Sequence, residues 1–146
     1  MYSAINKTII ESYTEQIWHQ GNLDAIGDYF SSDFVSYNPI KPKINGLAEL
    51  KQFVSATRAQ FPDIEFTWDD MVVEDDKVVA RWTCRGTHLG PSPEFGIGPT
   101  GQKVMFAGIT IYQIRNGKIM AQWEIWDRLR LLHQLGVVPV TQVPAV

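Results

Sequence analysis

The sequence predicts a single α+β domain in which N-terminal helices cover one face of a curved, mainly antiparallel sheet. Before Pro62, apolar residues recur at the three- to four-residue spacing of helices. After Pro62 they form segments rich in β-branched and aromatic residues, which is typical of strands. Asn116-Gly117 stands between two such segments and favours a two-residue type I′ hairpin. Helices followed by consecutive strands indicate an α+β layered fold.

The composition fits one globular domain over residues 1–146 and excludes a disordered chain, because 45% of residues are hydrophobic and 20% charged. With a net charge of −3 and no cluster of basic residues, we expect no nucleic-acid partner. No apolar run approaches the ~18 residues needed to span a membrane, so we expect no membrane partner. Cys84 is the only cysteine, which excludes an internal disulfide and fits a cytoplasmic protein.

Three helices are predicted before Pro62. The first ends near Gly21 and carries an apolar stripe of Ile5, Ile9, Tyr13, Ile17 and Trp18. Asn22 is predicted to cap a short second helix, whose shared face holds Leu23, Ile26 and Phe30. The third follows Asn45-Gly46, with Leu47, Leu50, Phe53 and Val54 on one stripe.

Five strands are predicted, at residues 34–38, 64–73, 78–88, 103–115 and 118 to about 126. A charged turn at 74–77 joins the second to the third, and a loop rich in glycine and proline at 90–101 follows the third. Asp127 is placed to cap a final short helix that Gly136 stops. The tail from 137 to 146 is predicted to be loose.

Strand 103–115 is apolar on both faces. Its even-numbered face carries Val104, Phe106 and Tyr112, whereas its odd-numbered face carries Met105, Ile109 and Ile111. A helix-covered antiparallel sheet ordinarily has one polar face, so the second apolar face predicts a homodimer through the sheet. The alternative is that loops of the same chain bury this face.

Familiar catalytic and cofactor motifs are absent. The sequence has no G-x-G-x-x-G, no phosphate-binding loop and no G-x-S-x-G. His19, His88 and His133 lie far apart without the spacing of metal ligands, so we expect no metal and no cofactor. His88 ends a strand before the long loop, where it either lies at the surface or borders a pocket mouth.

Glu124 is the candidate catalytic carboxylate. Alternation along the last strand places Gln122, Glu124 and Trp126 on one face, and Trp123 and Ile125 on the other. If the first face points inward, burial raises the pKa of Glu124 towards neutral pH, as a general acid or base requires.

Each of these candidate residues has a structural alternative. Glu124 could face solvent or pair with Arg81 or Arg85 on a neighbouring strand. Asp127 is a second candidate catalytic acid, but its position directly before the last helix favours a role as the helix cap. Candidate pocket walls are Trp18, Phe53, Trp82, Met105 and Phe106, although aromatic residues at such spacings often belong simply to the core.

Short motifs in a fixed order extend from about Ile5 to Gly136. They are Trp18-x-x-Gly21-Asn22-Leu23-Asp24, Asp33-Phe34-Val35, Gly46-x-x-x-Leu50-Lys51-x-Phe53, Phe61-Pro62-Asp63, Val79-Ala80-Arg81-Trp82-x-x-Arg85-Gly86-Thr87-His88, Pro99-Thr100-Gly101, Asn116-Gly117-Lys118-Ile119, Trp126-Asp127 and Gln134-Leu135-Gly136. In this order and spacing the sequence resembles the SnoaL-like polyketide cyclases. That resemblance implies the nuclear-transport-factor-2-like fold, a cystatin-like cone around an apolar pocket.

The resemblance also implies a chemistry. Members of that family close a ring by an intramolecular aldol reaction without metal or cofactor, using a pocket carboxylate on the last strand. That carboxylate, an aspartate in the family, falls on Glu124. Two histidines of the family pocket fall on Gln122 and Thr110, so the polar neighbours of the carboxylate differ here.

The sequence therefore predicts a cofactor-independent acid/base enzyme acting on a small, hydrophobic, enolisable carbonyl compound. Glu124 would move the proton, while Gln122, with Asn38 or Thr110, would hydrogen-bond the oxygen on which charge develops. An isomerase or hydratase would need the same groups. Alternatives are a non-catalytic ligand-binding module, or a hydrolase that would need Asp127 as a second buried acid.

Overall fold

A computed structural model describes residues 2–38 and 43–141, with Tyr2 described by its backbone alone. The helices are α1 (Tyr2–Tyr13), which continues into a π-helical segment (Thr14–His19), α2 (Ile26–Tyr29), which follows a 3₁₀ turn (Leu23–Ala25), α3 (Gly46–Gln60) and α4 (Arg128–Gln134). The strands are β1 (Phe30–Tyr37), β2 (Ile44–Asn45), β3 (Glu65–Glu74), β4 (Lys77–Thr87), β5 (Lys103–Arg115) and β6 (Lys118–Trp126).

The six strands form one curved sheet in the order β2-β1-β6-β5-β4-β3. Neighbouring strands are antiparallel except β1 and β6, which run parallel, so the sheet is mixed. The inner face of the sheet packs against α1 and α3 in one hydrophobic cluster. A second hydrophobic cluster includes Leu131 of α4 and Leu135. The predicted α+β fold class is confirmed.

The hairpin between β5 and β6 sets the register of the strands that carry the candidate site. Asn116 and Gly117 both have positive φ, 51° and 75°, as a type I′ turn requires. The bounds of β5 and β6 are those predicted. Across this register Thr110 lies opposite Glu124, and Tyr112 lies opposite Gln122.

The first strand and the second helix differ from the prediction. β1 begins at Phe30, which helical spacing had assigned to the face of the second helix. Phe30 pairs with Ile119 of β6, so a long-range contact overrides the local pattern. Asn22 does not cap the second helix: its amide donates instead to Gln16 Oε1 at 3.4 Å. The short β2, which pairs with Val35 and Ser36, was not predicted.

The start of the C-terminal tail contacts the core. Val137 packs against the cluster that contains Leu131 and Leu135, and its backbone N–H donates to Leu132 O at 2.9 Å. The prediction of a loose tail from residue 137 is therefore wrong for Val137. Residues 142–146 lie outside the described part of the chain.

The outer face of the sheet carries exposed apolar side chains. They are Tyr37, Val72, Val79, Met105, Ile109, Ile111, Trp123 and Ile125. Ile109 is 49% exposed and Ile125 77%, so the loops in the described part of the chain do not bury this face. Met105, which we had considered as a pocket wall, lies on this outer face and not in the pocket.

Gly108 allows two tryptophans to flank one position of the sheet. Trp82 of β4 and Trp126 of β6 both pair with Gly108 of β5. A methyl group on Gly108 would overlap the Trp82 ring and would come within 2.7 Å of the Trp126 Cβ. Both aromatic side chains can approach the strand because this position has no side chain.

Replacing Gly108 with alanine is expected to lower the free energy of unfolding by about 1–3 kcal/mol, because the added methyl group overpacks the site. Gly98→Ala is the matched control, since a Cβ there meets no atom within 4 Å; we expect it to change stability by less than about 0.5 kcal/mol. Urea denaturation of the three proteins gives both values. Equal stability of the Gly108→Ala variant and the wild type would contradict the proposed packing.

Candidate functional site

A cavity lies between the inner face of the sheet and the helices. Its interior leaves about 100 Å³ for the centres of water-sized molecules. Its walls are mostly apolar and aromatic, and five aromatic residues considered from the sequence line it: Trp18, Phe53, Trp82, Phe106 and Trp126. Small-molecule sites typically combine such walls with a few polar groups.

Glu124 is the inward carboxylate of this cavity. Alternation along β6 turns Gln122, Glu124 and Trp126 inward, while Trp123 and Ile125 are exposed on the outer face. Burial raises the pKa of Glu124 from its usual 4.5 to about 7, and a hydrogen bond from Thr110 acts in the opposite direction. At neutral pH the group is therefore divided between its acid and base forms, which suits proton transfer in either direction.

A chain of two hydrogen bonds ends at one oxygen of the Glu124 carboxylate. Thr110 donates its hydroxyl hydrogen to Glu124 Oε1 at 3.0 Å, and Trp82 Nε1 donates to Thr110 Oγ1 at 2.9 Å. A threonine hydroxyl has a single hydrogen, so accepting from Trp82 leaves that hydrogen for Glu124. Thr110 is fully buried and does not line the cavity. Its place in the structure is thus behind Glu124, which it positions; its role as a substrate-binding residue stays a prediction.

The arginine alternative for Glu124 is wrong. Arg81 lies 4.0 Å from Asp69 Oδ2, and Arg85 donates to Thr67 Oγ1 at 3.4 Å. Neither guanidinium makes an ion pair with Glu124 in the described part of the chain. Without a neighbouring cation, the effect of burial on the pKa of Glu124 is not offset by an opposite charge.

Of the remaining polar candidates, one lines the cavity and two do not. Gln122 lines the cavity beside Glu124. Asn38 is buried directly after β1 but is not part of the cavity wall. Asp127 is exposed, and its Oδ1 accepts from the Arg130 N–H at 3.0 Å as the N-cap of α4. The structure thus shows the capping alternative, and the placement of Asp127 among the catalytic groups stays a prediction.

His88 lies neither at the surface nor at the pocket mouth: it is fully buried. Its Nδ1 accepts from the Thr100 N–H at 3.0 Å, which leaves Nε2 to donate to Ser92 Oγ at 2.8 Å. Ser92 in turn donates to Gln60 Oε1 at 2.6 Å. This chain of hydrogen bonds ties the 90–101 loop to the end of α3, which is a structural role; the substrate-binding role of His88 stays a prediction.

Sequence analysis missed a pair of tyrosines on the cavity wall. Tyr13, the last residue of α1, and Tyr112 of β5 both line the cavity, and their hydroxyl oxygens are 2.6 Å apart. Apolar periodicity had assigned both to ordinary core positions. One signal was available, because Tyr112 lies on the same face of β5 as Thr110 and directly opposite Gln122.

Two further observations concern metal binding and membrane-spanning helices. Among residues 2–38 and 43–141, no three histidine, cysteine or acidic side chains are close enough together to hold a metal ion. In that same part of the chain, no helix has both the length and the apolar character needed to cross a membrane.

Comparison with known proteins gives the family. The model of the SnoaL-like polyketide cyclases matches residues 8–135. A structure from Acidithiobacillus ferrooxidans, provisionally described as a polyketide cyclase, is 28% identical over 90% of this chain and 94% of its own, with a TM-score of 0.81. TsrD from Streptomyces laurentii is 26% identical over 92% of this chain and 97% of its own, with a TM-score of 0.81.

IdmH from Streptomyces antibioticus, also provisionally described as a polyketide cyclase, is 26% identical over 89% of this chain and 97% of its own, with a TM-score of 0.75. A comparison with curated protein sequences finds no match. The family match covers most of the chain, and the fold of these structures agrees with it. The chain therefore belongs to the SnoaL-like polyketide cyclase family.

Proposed function

We propose that the protein is a cofactor-independent acid/base enzyme acting on a small, hydrophobic, enolisable carbonyl compound, with intramolecular aldol ring closure as its reaction. The observation that carries this proposal is Glu124, a carboxylate with a pKa of about 7 in an apolar cavity. A group that titrates near neutral pH can both accept and return a proton during one turnover.

The reaction begins when the Glu124 carboxylate removes a proton from the carbon next to a carbonyl group. The electron pair of the broken C–H bond forms the enolate, whose negative charge lies mainly on oxygen. The enolate carbon then attacks a second carbonyl carbon of the same molecule and forms a C–C bond. The resulting alkoxide takes the proton back from Glu124, so the carboxylate is regenerated and no co-reactant is consumed.

The other cavity groups fit this sequence of steps. Thr110 holds Oε1 of Glu124 and leaves Oε2 for the proton. Gln122 supplies an amide N–H group on the same strand face, where it can donate to a ligand oxygen. An isomerase or hydratase would use the same residues. A hydrolase would need a second buried acid, and Asp127 does not supply it because its side chain caps α4 at the surface.

The test is deuterium exchange into simple β-keto esters in deuterium oxide, because exchange requires proton abstraction but not ring closure. The wild type is expected to accelerate exchange over buffer, with a rate that rises with pH and is half-maximal near 7, where Glu124 ionises. A probe that binds the cavity yet exchanges at the buffer rate would favour a non-catalytic binding module.

We also propose that the protein is a homodimer in which two copies pair through the outer face of the sheet. The apolar side chains exposed on that face support this proposal. Ile125→Glu is expected to convert the dimer to a monomer in sedimentation velocity. Leu89→Glu, which changes an exposed leucine outside the sheet, is expected to leave the dimer intact. A wild-type monomer, or a dimer that survives Ile125→Glu, would contradict the proposal.

The single cysteine, Cys84, bears on the compartment in which the protein acts. Cys84 is buried, and burial raises the pKa of its thiol, so it is poorly suited to react. With one buried cysteine the chain cannot form an internal disulfide, the bond that an oxidising compartment would favour. We therefore propose that it acts in the cytoplasm.

A further inference from the structure

Tyr13 and Tyr112 place two phenol groups on the wall of the Glu124 cavity. Their side chains are almost fully buried, with Tyr13 4% and Tyr112 1% exposed. Their rings meet edge to face with centroids 5.9 Å apart, which brings the two hydroxyl oxygens within 2.6 Å. Aromatic neighbours fix this geometry, because Phe30 packs against Tyr13 and Trp68 packs against Tyr112.

The pair shares one hydrogen bond and carries two hydroxyl hydrogens. One hydrogen lies between the two oxygens, whichever tyrosine donates it. Thr14 and Trp18 also interact with the Tyr13 hydroxyl, and Thr110 interacts with the Tyr112 hydroxyl. A hydroxyl group rotates to suit its partners, so the second hydrogen can turn towards an acceptor that enters the cavity.

The two phenols also remain hydrogen-bond donors over the pH range in which Glu124 titrates. Burial raises the pKa of both Tyr13 and Tyr112, and the nearby Glu124 carboxylate raises each of them further. They stay protonated while Glu124 titrates near 7. The influence of the Glu124 charge on both phenols also shows that acid and donors belong to one electrostatic environment.

The register places the donor pair beside the base. Tyr112 pairs with Gln122, and Thr110, which holds Glu124, lies two residues away on the same face of β5. One alternation along a strand is roughly 7 Å. In an enolisable carbonyl the oxygen and the acidic hydrogen belong to adjacent carbons, so one ligand can reach both groups.

We propose that the Tyr13–Tyr112 hydroxyl pair binds the substrate carbonyl oxygen and donates a hydrogen bond to the enolate oxygen while Glu124 removes the adjacent proton. This assignment rests on the proposed function. A hydroxyl that accepts one hydrogen bond donates another more strongly, so the pair is a better donor than a single phenol. The donor is fixed before the substrate arrives, so little reorganisation is needed when charge develops on the oxygen.

The test compares β-tetralone, an enolisable bicyclic ketone, with tetralin, which has the same rings without the oxygen. The proteins are the wild type, Tyr13→Phe, Tyr112→Phe, the double phenylalanine variant and Glu124→Gln. Isotope-edited infrared difference spectra report the carbonyl stretch of bound β-tetralone. Tetralin affinity reports whether the cavity is intact, and deuterium exchange into β-tetralone reports catalysis.

We expect the carbonyl stretch to move to lower frequency on binding to the wild type and to Glu124→Gln. The shift should shrink in each single tyrosine variant and disappear in the double variant, whereas tetralin affinity stays unchanged. The double variant should lose about 10²–10³ in kcat for exchange, with a smaller change in KM, as expected for loss of an oxyanion donor. Only a group that contacts the ketone oxygen would produce this combination.

Two results would overturn the assignment. One is a wild type that leaves the carbonyl frequency unchanged. The other is a shift that persists in the double variant while tetralin still binds. Failure of the proposed function gives a different pattern, in which the wild type shifts the carbonyl stretch but does not accelerate exchange. The spectra therefore test the tyrosine pair whether or not Glu124 is a base.

Discussion

Replacing Glu124 with glutamine is expected to lower kcat for proton exchange by about 10²–10⁴-fold, the usual contribution of a general acid or base. Glutamine keeps the shape of the side chain, and its amide oxygen can still accept the hydrogen bond from Thr110. It cannot take up the substrate proton. Rates of deuterium exchange for wild type and variant, measured with saturating probe near neutral pH, give the value.

The matched control for this experiment is Glu94→Gln. Glu94 is the other carboxylate on the described wall of the cavity, but it is exposed on the 90–101 loop and pairs with the Gln60 amide at 3.0 Å. The mechanism does not use it, so its variant should exchange at the wild-type rate. Wild-type kcat in Glu124→Gln would contradict the assignment of Glu124 as the base.

The same substitution is expected to make the fold more stable at high pH. Burial holds the pKa of Glu124 at about 7 in the folded protein, against 4.5 as its usual value. Between these values the folded state keeps a proton that the unfolded state has lost, so stability falls as the pH rises. The loss of stability begins near pH 4.5 and is complete above about pH 7, where it reaches roughly 3 kcal/mol. Glutamine does not ionise, so the variant does not suffer this loss of stability.

Chemical denaturation across this pH range measures the difference in free energy of unfolding between Glu124→Gln and wild type. We expect the difference to be near zero at acidic pH, to grow from about pH 4.5 to about pH 7, where the unfolded carboxyl is ionised and the folded one still holds its proton, and then to level off. Glu94→Gln is measured in parallel as the same substitution at an exposed carboxylate. A difference that does not change with pH would contradict a buried carboxyl with a raised pKa. The carboxylate that we propose as the base thus lowers the stability of the fold at neutral pH.

Local sequence patterns grouped the residues of the site that lie on β6. The Asn116-Gly117 turn fixes the register of the final hairpin, and period-two alternation fixes which side chains share a face, but it leaves open which face points inward. The fold decides that Gln122, Glu124 and Trp126 line the cavity. These inferences need only neighbours along one strand and one tight turn.

The features that sequence analysis missed depend on contacts between distant segments. Tyr13 and Tyr112 are 99 residues apart, and no local pattern indicates that their hydroxyl groups meet. The burial of His88 depends on Ser92 and Thr100 folding back over it from the loop. Phe30 joins a strand because β6 offers it a partner. In each case a tertiary contact decides between local alternatives that the sequence leaves equally open.

The most direct test of the central claim is the pKa of Glu124 itself. Carbon-detected NMR of protein labelled at the glutamate carboxyl groups follows each titration, and Glu124→Gln identifies the signal of Glu124 by its loss. Our account predicts a midpoint of about 7 for that signal. A midpoint at or below the usual 4.5 would show an ordinary solvated or ion-paired carboxylate and would contradict the account.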